Sequence, residues 1–109
     1  MDQTRALSMA KELRDEVWGF KVNDLLVQSG LGVVRELKKF GRVFADPKLH
    51  DIPNTVANSV KALSAAGADL ITVHASGGTD MMKAAVESAQ GAQILAVTIL
   101  TSLNNAASN

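Results

Sequence analysis

Three charges and two prolines crowd into Asp46-Pro47-Lys48-Leu49-His50-Asp51-Ile52-Pro53-Asn54-Thr55, directly behind the short run Arg42-Val43-Phe44-Ala45. That run reads as a buried strand ending at Asp46. Side chains alternate along a strand, so Asp46 and Lys48 leave it on one face and Pro47 on the other. A carboxylate and an ammonium are thereby aimed into one space, where each favours the charged form of its neighbour even if water is partly excluded. An isolated D-x-K is ordinarily a surface ion pair at a strand end. The full pattern D-x-K-x-x-D-I-P-N-T is far less easily accidental.

Other side chains could join that space. Lys21 closes an apolar stretch over residues 17–22, and by itself reads equally well as a lysine snorkelling from a strand end. With Asp46 and Lys48 expected on adjacent strand ends, the functional reading gains. His74 also ends an apolar run, and a packed, hydrogen-bonded histidine is favoured over a direct catalytic role. His50 lies in the loop as bystander or interface residue. Gly77 and Gly78 could cradle a phosphate at a helix start, but two glycines read more simply as turn geometry. Trp18, Met81 and Met82 fall at core or interface spacing.

The elements that must position these groups follow from periodicity. Ala6, Leu7, Ala10 and Leu13 predict an amphipathic helix over 3–14, with Asp2 at its start. A strand over 17–22 follows. After the break at Ser29-Gly30, a helix runs to about Phe40 with Val33, Val34 and Leu37 inward. The strand into Asp46 comes next, then a helix over 55–66 with Asn54 as N-cap and Gly67 as a left-handed C-cap. A strand over 69–74, a turn at Ser76-Gly77-Gly78, a helix over 79–89 and a strand over 93–100 complete the pattern. Strands alternating with helices imply parallel pairing through right-handed crossovers, so four parallel strands are expected with helices on one face. The spacing is regular: 25 residues from Lys21 to Asp46, 28 from Asp46 to His74 and 27 from His74 to Thr101. Polar residues recurring at the C-terminal ends of parallel strands are the mark of a (β/α)8-type site.

At 109 residues, with 47% hydrophobic content, the chain is one globular α/β domain, yet less than half of the roughly 250 residues of a complete barrel. Eleven basic and eleven acidic side chains cancel, so no global field attracts nucleic acid or an anionic membrane. The absence of cysteine excludes disulfides and thiolate metal sites, and makes a cytoplasmic setting the expectation. No apolar run approaches the roughly 20 residues of a membrane span.

The stretch from Asp46 to Thr55 resembles the signature of the orotidine 5'-monophosphate decarboxylases. Gly19-Phe20-Lys21-Val22, the run from Leu70 to Gly78, and Ala96-Val97-Thr98-Ile99-Leu100-Thr101-Ser102-Leu103 follow in that family's order. The resemblance implies the front part of a TIM barrel, with residues 1–103 as strands two to four and their helices; residues 104–109 have no apolar period and read as a flexible tail. It further implies conversion of orotidylate to uridylate in pyrimidine biosynthesis without metal or organic cofactor, by a truncated form whose 109 residues alone are not expected to be fully active. An alternating array of Lys21, Asp46, Lys48 and Asp51 would surround the pyrimidine and ribose, with Lys48 as proton donor to C6 and Asp46 beside the substrate carboxylate. Asp51 and Thr55 match positions that this family delivers across a homodimer interface. Thr101 matches a hydroxyl that meets the pyrimidine, with Ser102 as an equal candidate, and Asp2 matches an aspartate preceding the first helix. Pro47 departs from the family, where an ordinary apolar residue is commoner. It removes a ladder donor and is able to tilt Lys48.

Two other readings share this pattern. A magnesium-dependent sugar-phosphate lyase of the same superfamily also carries D-x-K-x-x-D, and a half-barrel could be a non-catalytic assembly module. In either case a parallel sheet covered on one face leaves apolar side chains open, with Val43, Leu70, Val73, Ile94 and Val97 as the candidates.

Overall fold

The computed structural model describes residues 2–98, and the order of its elements is that expected of repeated strand-helix units. Helix α1 spans Gln3–Leu13, and Asp2 caps it by accepting the Arg5 N–H at 2.8 Å. Strand β1 is Gly19–Val22. Helices α2 (Asp24–Ser29) and α3 (Leu31–Lys38) follow, separated by Gly30 at φ 70. Strand β2 is Arg42–Leu49, α4 is Pro53–Ala66, β3 is Leu70–His74, α5 is Thr79–Ser88 and β4 is Gln93–Val97.

The four strands form one sheet in the order β1-β2-β3-β4, all parallel. A count that starts at a barrel's second strand therefore ends at its fifth, one beyond the span of two to four. Each strand sits beside its predecessor, so every right-handed crossover places its helix on the same side. Register shows which side chains share that side. Phe20 pairs with Val43, Val22 with Ala45, Ala45 with Ile71, Ile71 with Ile94 and Val73 with Ala96. Val22, Val43, Ala45, Ile71 and Val73 are buried with Val33, Val34, Leu37, Val56, Val60, Leu63 and Met81 from the helices. The opposite face carries Lys21, Phe44, Asp46, Leu70, Thr72, His74, Leu95 and Val97.

This corrects the list of open-face candidates. Val43 and Val73 are fully buried beneath the helices, and Ile94 packs partly against the same core. Strand parity decides it: the open face is set by the residues alternating with Val43 and Ile71. There, Leu95 is the large apolar side chain left exposed, while Phe44, Leu70 and Val97 are partly covered.

Several boundaries also differ from expectation. A short helix, α2, occupies residues that the periodicity left unassigned. Strand β1 begins at Gly19 rather than Val17, and an added Cβ at Gly19 would strike the Arg42 carbonyl oxygen, so the close approach of the two backbones requires glycine there. Trp18 stays outside under the Arg42 guanidinium, 5.1 Å above its ring. Helix α4 starts at Pro53 with Ile52 as N-cap, so Asn54 is not the cap. Proline suits that first position because its fixed φ is helical and its missing N–H has no partner to lose. Gly67 closes the helix at φ 111 as expected. Helix α5 ends at Ser88, with Ala89 already extended. Strand β4 is described to Val97, and Leu100 lies outside the described residues.

The N-terminal ends of the strands are tied by Asp69. Its Oδ2 accepts the Val43 N–H at 2.8 Å, its own N–H donates to the Val43 carbonyl at 2.8 Å, and Lys38 Nζ reaches Oδ1 at 2.7 Å. Burial pushes the Asp69 carboxyl up, but the Lys38 and Val43 hydrogen bonds and the charges of Lys38 and Arg42 outweigh it and hold it below the ordinary value. Asp69→Ala would leave the N–H of fully buried Val43 unpaired. The expected loss is about 1–3 kcal/mol, read as a lower urea midpoint with unchanged slope.

Candidate active site

At the other end of the strands, β1, β2 and β3 bring Lys21, Asp46, Lys48 and Thr72 together. Asp46 is 6% exposed. Its Oδ2 accepts a 2.8 Å hydrogen bond from Lys48 Nζ and lies 3.6 Å from Lys21 Nζ. Its Oδ1 accepts from the Thr72 hydroxyl at 2.7 Å. The two lysine side chains stay well exposed while the Asp46 side chain between them is nearly buried. The site is therefore a buried anion flanked by two accessible cations, open to an anionic ligand from the strand ends.

Strand β2 makes this possible by departing from regular pairing. Ala45 pairs with Ile71 and Leu49 with Val73. Three residues, Asp46, Pro47 and Lys48, thus oppose Thr72 alone. Pro47 has no N–H to give the ladder, which suits a bulge. Lys48 takes φ 48, the left-handed region that a side chain with Cβ seldom enters. The tilt anticipated from Pro47 is therefore present, and it turns Lys48 back onto Asp46 instead of away.

Burial pushes the Asp46 carboxyl up, whereas the Lys48 and Thr72 hydrogen bonds and the charges of Lys48 and Lys21 draw it down. The net displacement is downward. Asp46 is ionised, and so keeps both lysines facing it.

His74 ends β3, and its Nδ1 lies 2.8 Å from the Ser76 hydroxyl. His50 meets it ring to ring, with centroids 5.3 Å apart. This is the packed histidine the sequence favours. Asp51 and Thr55 are exposed beyond β2; Asp51 Oδ1 accepts the neighbouring Ile52 N–H at 2.7 Å. Among the described residues, no hydrogen bond or ion pair joins either to the Asp46 cluster. Asp2 serves as the cap of α1. Thr101 and Ser102 lie outside the described residues. Thr72 is the participant that sequence reasoning missed. Its signal was a hydroxyl inside Leu70-Ile71-Thr72-Val73, on the same parity as His74.

Linkage follows from the depressed Asp46 value. A carboxyl whose folded pKa lies below its unfolded one contributes stability above the unfolded value of about 3.9, and that contribution disappears as pH falls through the folded value. Asp46→Asn should therefore flatten the acid side of a plot of urea midpoint against pH, with the Asp69 contribution remaining.

The comparisons with known proteins agree with this geometry. The family model described as Orotidine 5'-phosphate decarboxylase / HUMPS family matches residues 1–109. An orotidine 5'-phosphate decarboxylase of Anaeromyxobacter sp. (strain K) is 50% identical over 101 residues, covering 90% of this chain and 44% of that protein. The enzyme of Wolbachia pipientis subsp. Culex pipiens is 43% identical, covering 95% and 48%. The orotidine 5'-phosphate decarboxylase structure from Pyrococcus horikoshii OT3 superposes with a TM-score of 0.84 at 33% identity, covering 96% of this chain and 50% of that one. The structure from Methanocaldococcus jannaschii complexed with inhibitor BMP gives 0.81 at 33% identity, covering 89% and 47%. The chain spans about half the length of the relatives it matches, and its four strands are part of a TIM barrel. With its whole length matched and its strand ends carrying the charged array, the chain belongs to the orotidine 5'-phosphate decarboxylase / HUMPS family.

Proposed function

We propose that the polypeptide bearing this chain is a carboxy-lyase that converts orotidine 5'-monophosphate to uridine 5'-monophosphate in pyrimidine biosynthesis. The observation that carries this reading is the buried Asp46 carboxylate held between the Lys48 and Lys21 ammonium groups. In the reaction, the bond from C6 to the carboxylate breaks and its electron pair stays on C6. Lys48 supplies a positive charge beside that developing anion and then donates a proton to it, becoming a neutral amine as carbon dioxide leaves. The charge is in place beforehand, which is how a fixed ammonium lowers a barrier most effectively. Asp46 faces the departing carboxylate, and Lys21 balances the added negative charge. An orotidine 5'-monophosphate decarboxylase of the same fold, solved in complex with inhibitor BMP, supports a ligand-binding role for this barrel.

Asp51 and Thr55 stand on an exposed loop and helix start beside Ile52, which is 64% exposed. An apolar side chain between polar ones at the surface supports a homodimer in which these residues reach the partner's site, with Asp2, Thr101 and Ser102 as further substrate contacts. The absence of cysteine and the balanced charge support a cytoplasmic enzyme. Light scattering at micromolar concentration should report a dimer; a stable monomer rejects the shared site.

In a polypeptide of the relatives' full length, Lys48→Ala should reduce orotidylate turnover by about 10²–10⁴-fold. Lys61→Ala, on the exposed side of α4, should leave it unchanged. Equal losses from both substitutions would make the motif structural only. Magnesium-dependent turnover of a sugar phosphate, with none of orotidylate, would replace this reading by the lyase one.

A further inference from the structure

We infer that Thr72 is a positioning residue for Lys48 and Asp46, its single hydroxyl fixing both the carboxylate and the strained backbone from which the lysine projects. The inference rests on the decarboxylase reading for its kinetic consequences, though its geometry stands independently. A hydroxyl has one hydrogen to give and lone pairs to accept with. Thr72 gives its hydrogen to Asp46 Oδ1 at 2.7 Å and accepts the Lys48 backbone N–H at 2.9 Å. It is 1% exposed, so water offers no substitute for either bond.

The position of Thr72 in the sheet explains why it is needed. Between the Ala45–Ile71 and Leu49–Val73 pairs, β3 has one residue against three of β2. Regular pairing has no backbone carbonyl for the Lys48 N–H there, and the hydroxyl takes its place. The bond holds Lys48 at φ 48, the turn from which Nζ comes back to 2.8 Å from Asp46 Oδ2. Valine has nearly the same shape but neither bond. Without the hydroxyl, Asp46 could rotate and Lys48 could relax toward ordinary strand geometry, moving the proton donor off its line to the substrate.

In the full-length polypeptide, Thr72→Val should lower kcat for orotidylate about 10–100-fold with KM little changed, the loss typical of a misplaced catalytic group. The acidic limb of its kcat profile should move to higher pH, because Asp46 loses a donor to its charged form. Thr72→Ser keeps the hydroxyl and should recover most of the loss. A Thr72→Val enzyme with undiminished kcat overturns the proposal, as does a serine variant as impaired as the valine one. Should Thr72→Val fail to fold, hydrogen exchange at the Lys48 amide of the unsubstituted protein decides. Slow exchange, preserved in Thr72→Ser, agrees with the proposal, and exchange at the rate of an unstructured chain overturns it. An unsubstituted protein that leaves orotidylate untouched rejects the decarboxylase reading, and the Lys48 exchange then decides the Thr72 geometry by itself.

Discussion

Everything at the C-terminal ends of the strands depends on keeping one nearly buried carboxylate charged. Removing a carboxylate from water costs several kcal/mol unless donors replace the lost hydration. For Asp46 the donors are Lys48 on β2 itself and Thr72 on β3, and the Lys21 charge on β1 adds an ion pair from a third strand. The same contacts that offset desolvation therefore fix the relative positions of the strand ends. Remove the carboxylate and two cations face each other with no anion between them.

The backbone contributes as much as the charges. Lys48 in the left-handed region costs roughly 1–2 kcal/mol relative to an extended residue. Such an arrangement persists only where its surroundings determine it more than once. Here Pro47 withdraws a ladder donor, the bulge shifts the register by two residues of β2, and the Thr72 hydroxyl receives the Lys48 N–H. The ammonium is delivered by the fold at a site where an ordinary strand would have directed it elsewhere.

Much of this was legible in the residues because it follows period and parity. Alternating apolar patterns located all four strands, Gly67 marked the end of α4, and D-x-K placed Asp46 and Lys48 on one face. What escaped has physical causes. Val43 and Val73 are open-face candidates by sequence because hydrophobicity alone does not say which side of a doubly apolar strand meets the helices; register does. Asn54 lost the capping position because Pro53 already satisfies the first turn of α4. Threonine inside a strand is favoured by β-propensity anyway, so the Thr72 hydroxyl, though on the parity of His74, is a weak signal by itself. Its role appears only when β3 is laid against the bulge of β2.

The sheet carries a second, partly exposed charge arrangement, the Asp69 clamp, at the opposite ends of the same strands. Asp46 lies three positions beyond Val43 on β2, roughly 10 Å along a strand, which is about one Debye length at 0.1 M ionic strength. Perturbations that far apart, without shared partners, add almost independently. The two clusters thus contribute to stability separately, at opposite ends of one sheet. The Lys38–Asp69 end can drift in evolution, or be redesigned for saltier surroundings, with little consequence for the Asp46 cluster.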